Sequence, residues 1–242
     1  MAESTPAINL EKPLELISGG AAQGLVGRLT AQFQTHHAAG ISTTFGAVGM
    51  MKDKLLAGAP CDVLILTDAL IAQLTASGEI EPGSAQAVGV VKTGVAVKTG
   101  AVAVDVSSPA ALKAALLSAS GVYIPDPFKS TAGIHIMQVL RQLGLETALG
   151  DRLHAFPNGA TAMKAMADSG AEGAIGCTQV TEILMTEGVT LAAPLPRVFE
   201  LATVYTAAVC KRATQAQAAK ALIDLLTGAS AAPLRLACGF EA

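Results

Sequence analysis

Residues 61–67 read CDVLILT, an apolar run with no polar alternation after Asp62. A strand with one wet face alternates, whereas a strand covered on both faces does not. The next segment, TDALIAQLTASG (67–78), has helical spacing, with Thr67 or Asp68 standing where an N-cap is needed. A doubly covered strand that feeds directly into a helix belongs to an α/β layer.

The rest of the chain repeats this alternation. LELIS (14–18) reads as a strand, then SGGAAQGL leads into the helical LVGRLTAQFQTH. ISTTFG (41–46) is β-rich, and GMMKDKLLAG (49–58) is a helix that stops at glycine. SSPAALKAALLSA (107–119) opens with Ser-Ser-Pro, a strong helix start. GVYIPD, then TAGIHIMQVLRQLGL, then FPNGATAMKAMADSG, EGAIGCT and TQVTEILMT continue strand and helix in turn. TQAQAAKALIDLLTG (214–228) is an amphipathic helix.

Such alternation predicts α/β layers with mostly parallel strands. Two β-rich segments, near 88–98 and 197–210, separate a central block from both ends. We therefore expect two lobes joined by crossing strands. Lobe 1 is discontinuous (14–90 plus 205–242), lobe 2 spans 91–204, and residues 1–13 form a tail.

Composition excludes several function classes. At 242 residues and 51% hydrophobic composition the chain can bury a sizeable core, and 14% charged residues do not describe a disordered chain. The net charge is −3, with no basic run and no Trp, so neither a phosphate-binding face nor a base-stacking platform is expected. No apolar stretch approaches the roughly 20 residues of a membrane span. The N-terminus lacks a signal-peptide pattern. It fits a cytoplasmic protein, or a mature exported chain whose AESTPAINLEKP is the tail after a cleavage site. Cys61, Cys177, Cys210 and Cys238 show neither CxxC nor zinc spacing, so no metal and no cofactor is expected. They read as small buried hydrophobes; a Cys210–Cys238 bridge stays open.

Chemistry in such a sheet sits at the carboxyl ends of strands, where helix N-termini offer unpaired N–H groups to anions. Four junctions there are rich in glycine and hydroxyls. The first is Ser18-Gly19-Gly20-Ala21, which has neither the Walker ending nor dinucleotide glycine spacing. The second runs from Thr44 through Gly46, Ala47 and Val48. The third is IPDPFKSTAGIH, where Lys129 adds a cation, Ser130 and Thr131 offer hydroxyls, and His135 lies about one turn inside. A helix N-terminus disfavours imidazolium, so His135 is biased toward a neutral base. The fourth joins Asn158 and Gly159 to the later Cys177-Thr178-Gln179. Four donor-rich turns without a nucleophile motif point to an anion-binding cleft.

SGGAAQGL, TTFGAVGMMKDKLLAGAPCDVLILTDALI, GVAVKTG and EGAIGCTQVTEIL resemble the periplasmic molybdate-binding protein family, over about residues 14–210. The resemblance implies a type 2 periplasmic-binding fold. In it, two α/β lobes and two hinge strands close a cleft on a small anion, in the periplasm rather than the cytoplasm. It places Ser18 among the anion ligands. Where the family shows Gly-Ser-Gly this chain has Ala47-Val48-Gly49, and where a Tyr is usual it has Cys177, Thr178 or Gln179. A tetrahedral oxyanion would lose both donors, and buried underpaired oxygens are costly. Lys129, Ser130, Thr131 and His135 suit carboxylates instead. A branch resembling this family includes aconitate isomerase, whose reaction removes one proton and returns one at another carbon. His135 is the candidate proton carrier, with Lys129 or Arg28 as charge partner. The other reading is a receptor passing molybdate-like oxyanions or small carboxylates to an ABC transporter.

Overall fold

A computed structural model of the protein describes residues 12–37 and 40–242. Most of the expected tail over 1–13 lies outside the described residues. Among those described, nine strands run in chain order. They are β1 (Leu14–Gly19), β2 (Ile41–Gly46), β3 (Val63–Thr67), β4 (Gln86–Lys98), β5 (Val122–Pro125), β6 (Leu153–Phe156), β7 (Ile175–Gln179), β8 (Val189–Pro194) and β9 (Ala202–Val209). The α-helices are α1 (Gln23–Gln34), α2 (Val48–Leu56), α3 (Asp68–Ala76), α4 (Pro109–Ser118), α5 (Thr131–Gln142), α6 (Gly159–Asp168), α7 (Val180–Met185), α8 (Ala216–Thr227) and α9 (Ala232–Ala237).

The strands form two halves that share β4. One half has the order β2-β1-β3-β9-β4, with β1 parallel to β2 and β3, and β9 antiparallel to β3 and β4. The other runs β4-β7-β5-β6, with β8 on the free edge of β4. Residues Gln86–Lys92 of β4 pair with β9, and Thr93–Lys98 pair with β7 and β8. The change of partner falls at Thr93. Its N–H donates to the Leu201 carbonyl (3.2 Å), and its own carbonyl accepts from Leu195 N–H (3.0 Å). The outgoing strand and the returning segment are thus tied at one residue.

Every residue of β3 is buried, as the unbroken apolar run requires. Leu64, Ile65 and Leu66 join Leu16, Leu25, Ile71, Leu222 and Leu226 in the core of the first half. The second sheet is covered on both faces. Leu112, Leu116, Ile136 and Leu140 pack with Ile175 in one cluster, and Met163, Met166 and Ile183 with Ala96 in another. Asp62, at the head of β3, is also buried. It accepts N–H groups from Glu15 (2.9 Å), Thr214 (2.6 Å) and Gln215 (3.1 Å), joining β1 to the entrance of α8.

Two local expectations change. The β-rich run over 197–210 is not one strand: Arg197–Phe199 is a single 3-10 turn after Pro196, and β9 starts at Ala202. Proline has no N–H for a ladder, which suits a turn before the strand. All four cysteines are buried free thiols, and Cys210 faces Cys61 (Sγ–Sγ 3.2 Å) rather than Cys238.

Candidate functional site

The four donor-rich turns are the N-terminal entrances of α1 (through a 3-10 turn, Gly20–Ala22), α2, α5 and α6. They touch one another through close backbone approaches. A Cβ on Gly19 would stand 2.7 Å from Val48 Cγ1 and 3.1 Å from Tyr205 Cε1, so the first turn, the second and β9 meet there. Gly49 N–H donates to the Lys129 carbonyl (3.1 Å), joining the second turn to the third across the two halves. The first and fourth turns meet at a side chain that sequence reasoning passed over, Glu182.

Glu182 lies in the first turn of α7 and is 4% exposed. A Cβ at Gly20 would overlap its Oε1, and one at Gly159 would overlap both its Oε2 and Thr178 Oγ1. Its carboxylate is therefore wedged between a turn of the first half and a turn of the second. Thr178 Oγ1, near the end of β7, donates to Oε2 (2.6 Å). Burial raises the carboxyl pKa above its usual value. The Thr178 hydroxyl and the N–H groups of Gly159, Gln179 and Ala160 oppose that without overcoming it. No cation among the described residues takes part, so the buried carboxyl group is held by neutral donors only.

Around this point polar groups are buried. Gln179 Nε2 donates to Tyr205 Oη (3.3 Å), while Gln179 Oε1 meets no donor among the described residues. Burial, then the charge of Glu182, push the Tyr205 phenol far up, so it stays a neutral donor. Ala160 reaches outward as well, lining a depression of about 640 Å³ with Gln23, Phe45, Asn158, Thr161 and Lys164 from both halves.

The residues expected from sequence divide into two sets. Gly19, Gly20, Val48, Gly159 and Gln179 lie in this cluster. Ser18 is fully buried on β1, and its hydroxyl turns back to the Gly19 carbonyl (2.8 Å). Ala21 and Ala47 are buried beside the first and second turns, Gly46 closes β2 against Met51, and Thr44 is half-buried in β2. Ser130 caps α5 by accepting Gly133 N–H (3.4 Å), and Thr131 is the first residue of that helix. Asn158 caps α6, accepting from Thr161 N–H (2.8 Å) and Oγ1 (2.9 Å).

Lys129 and His135 are engaged elsewhere. The exposed Lys129 ammonium pairs with Asp53 of α2 (2.7 Å), which raises its pKa and lowers that of Asp53. His135 Nε2 donates to the Phe199 carbonyl (2.8 Å) in the segment returning from β8 to β9. Neither enters the environment of Glu182. Arg28 is exposed on α1, beside a second depression of about 730 Å³. The signal for Glu182 was present: one acid inside the apolar turn VTEIL, four residues after a threonine.

Among the described residues, no cluster of three or more His, Cys, Asp or Glu side chains could hold a metal, and no helix is long and apolar enough to cross a membrane.

The chain is 24% identical over 239 residues to an aconitate isomerase from a Pseudomonas species, covering 95% of this chain and 88% of that one. Its fold matches the periplasmic molybdate-binding protein of Azotobacter vinelandii, with a TM-score of 0.79, 20% identity, and coverage of 95% and 99%. It also matches the sulfate-binding protein SubI of Mycobacterium tuberculosis H37Rv, with a TM-score of 0.69, 15% identity, and coverage of 95% and 86%. At these identities the structural matches speak for the fold alone. The profile of the family described as bacterial extracellular solute-binding protein matches residues 14–241, so the chain belongs to that family.

Proposed function

We propose that the protein binds a small polycarboxylate between its lobes, 14–90 with 205–242 on one side and 91–204 on the other. We further propose that it isomerises this ligand in the manner of an aconitate isomerase. The observation carrying the reading is the cluster at Glu182, where two turns from opposite halves converge on a carboxylate held by a hydroxyl and helix N-terminal N–H groups. Such donors suit anions generally. The aconitate isomerase relative supports a tricarboxylate over an inorganic oxyanion. Membership of an extracellular solute-binding family supports a periplasmic location.

The isomerisation removes one proton and returns one at another carbon, so it needs a group that exchanges protons at working pH. Glu182 suits that role, because burial raises its pKa from the usual carboxylate range. His135 suits it less, since its Nε2 is committed to the Phe199 carbonyl.

The test is a thermal-shift panel of molybdate, tungstate, sulfate, citrate, cis-aconitate and trans-aconitate, followed by spectroscopic measurement of cis/trans interconversion. Ligand stabilisation follows from mass action. Stabilisation by the carboxylates with turnover of aconitate is the expected result. Stabilisation by molybdate alone would remove the carboxylate reading. Carboxylate binding without turnover would leave a receptor that hands its ligand to an ABC transporter.

A further inference from the structure

Glu182 sits where a turn of one half meets a turn of the other. Its Oε2 takes the Thr178 hydroxyl at 2.6 Å, and the N–H groups of Gly159 and Ala160, at the entrance of the ten-residue helix α6, face the same carboxylate with that of Gln179. Those are the donors an oxyanion receptor turns toward its ligand. Two glycines make room for it, Gly20 from the first half and Gly159 from the second, and any side chain at either would overlap it. No cation among the described residues lies against it. The carboxylate thus sits where a bound anion would sit, bridging the two halves, although it belongs to the protein. A second polar group beside it is unmatched: Gln179, whose N–H faces the carboxylate, has its Oε1 buried with no donor among the described residues.

We infer that the Glu182 carboxyl group occupies the position of a bound oxyanion, and that it is the residue keeping tetrahedral oxyanions from this cleft. A sulfate or molybdate dianion brought there would meet a carboxyl group that already holds the Thr178 hydroxyl and the N–H groups of Gly159, Ala160 and Gln179. Those donors are therefore closed to the ligands named for the structural relatives. This inference rests on the anion-cleft reading above, and it specifies how that cleft selects.

The decisive experiment compares wild type with E182A in the presence of molybdate and of sulfate. Removing the carboxylate leaves Thr178 Oγ1 and the N–H groups of Gly159, Ala160 and Gln179 facing an open position. E182A should gain a shift of roughly 5 °C at saturating molybdate, with none in wild type. Should E182A not fold, E182S carries the same expectation. E182Q keeps the volume and still fills the position, so it should gain no oxyanion binding. Equal responses of wild type and the alanine or serine variant to both oxyanions would overturn the inference. If no carboxylate binds wild type, the proposed function falls, and the oxyanion response of E182A still decides the role of Glu182.

Discussion

Gly20 packs directly against Glu182: the Cβ of an alanine at position 20 would fall on the carboxylate oxygen Oε1 unless that side chain shifts. One residue opens the entrance to α1 and the other lies in α7, so the contact links elements from the two halves. G20A should destabilise by about 1–3 kcal/mol, the usual range for overpacking. Because the clash is with one side chain, E182A in the same protein should relieve it. The double-mutant cycle, measured by chemical denaturation, should show a coupling of about 0.5–3 kcal/mol. Additive effects would mean that Gly20 matters for its backbone alone.

Glu182 also makes stability depend on pH. Burial raises its folded-state pKa above the ordinary value of 4.5, so the native state holds the proton more tightly than the unfolded chain. Its contribution is fully present below the unfolded pKa and is lost as pH rises through the folded one. Relative to E182Q, wild type should thus become progressively less stable as pH is raised from about 4.5 toward neutrality. Parallel pH–stability curves for the two proteins would show that Glu182 is not desolvated.

The parts of the fold that depend on local pattern were legible in the sequence. CDVLILT became the fully buried β3, and Ser108-Pro109 and Asn158 start α4 and α6 as their cap chemistry requires. Where the four donor-rich turns lie could be read the same way. What could not be read was which side chains meet among them. Glu182 is buried because two glycines distant in sequence leave room for it, and Lys129 is neutralised by Asp53 from another helix. Those pairings belong to tertiary geometry, and no local spacing encodes them. The strand β8 escaped notice for a related reason. VTLAAP is short and only half-buried, and its register with β4 includes a bulge between Val95 and Ala96.

His135 and Glu182 are rivals for proton transfer, and the hydrogen bond to Phe199 separates them. H135A should lose about 0.5–1.5 kcal/mol of stability with that partly buried bond. That corresponds to a Tm drop of roughly 1–6 °C for a chain of this length. If aconitate is turned over, H135A should keep most of the rate and the wild-type pH profile, while E182Q should lose both. A flattened pH profile in H135A would return the proton to the histidine.

The thiols offer a test of the packed interior. Burial pushes the Cys177 thiol up to about 12. Cys210 is pushed far up, first by the hydrogen bond with the Cys61 thiol and then by burial. The thiolate is the reactive species, so at pH 8 only about one Cys177 in ten thousand is in reactive form. Iodoacetamide at that pH should leave Cys177 and Cys210 unmodified in the native protein over hours. All four cysteines should be alkylated once the chain is unfolded in guanidinium. Intact-mass and peptide mass spectrometry read this directly. Rapid native labelling of Cys177 would mean that the second sheet opens far more readily than its packing between two apolar clusters implies.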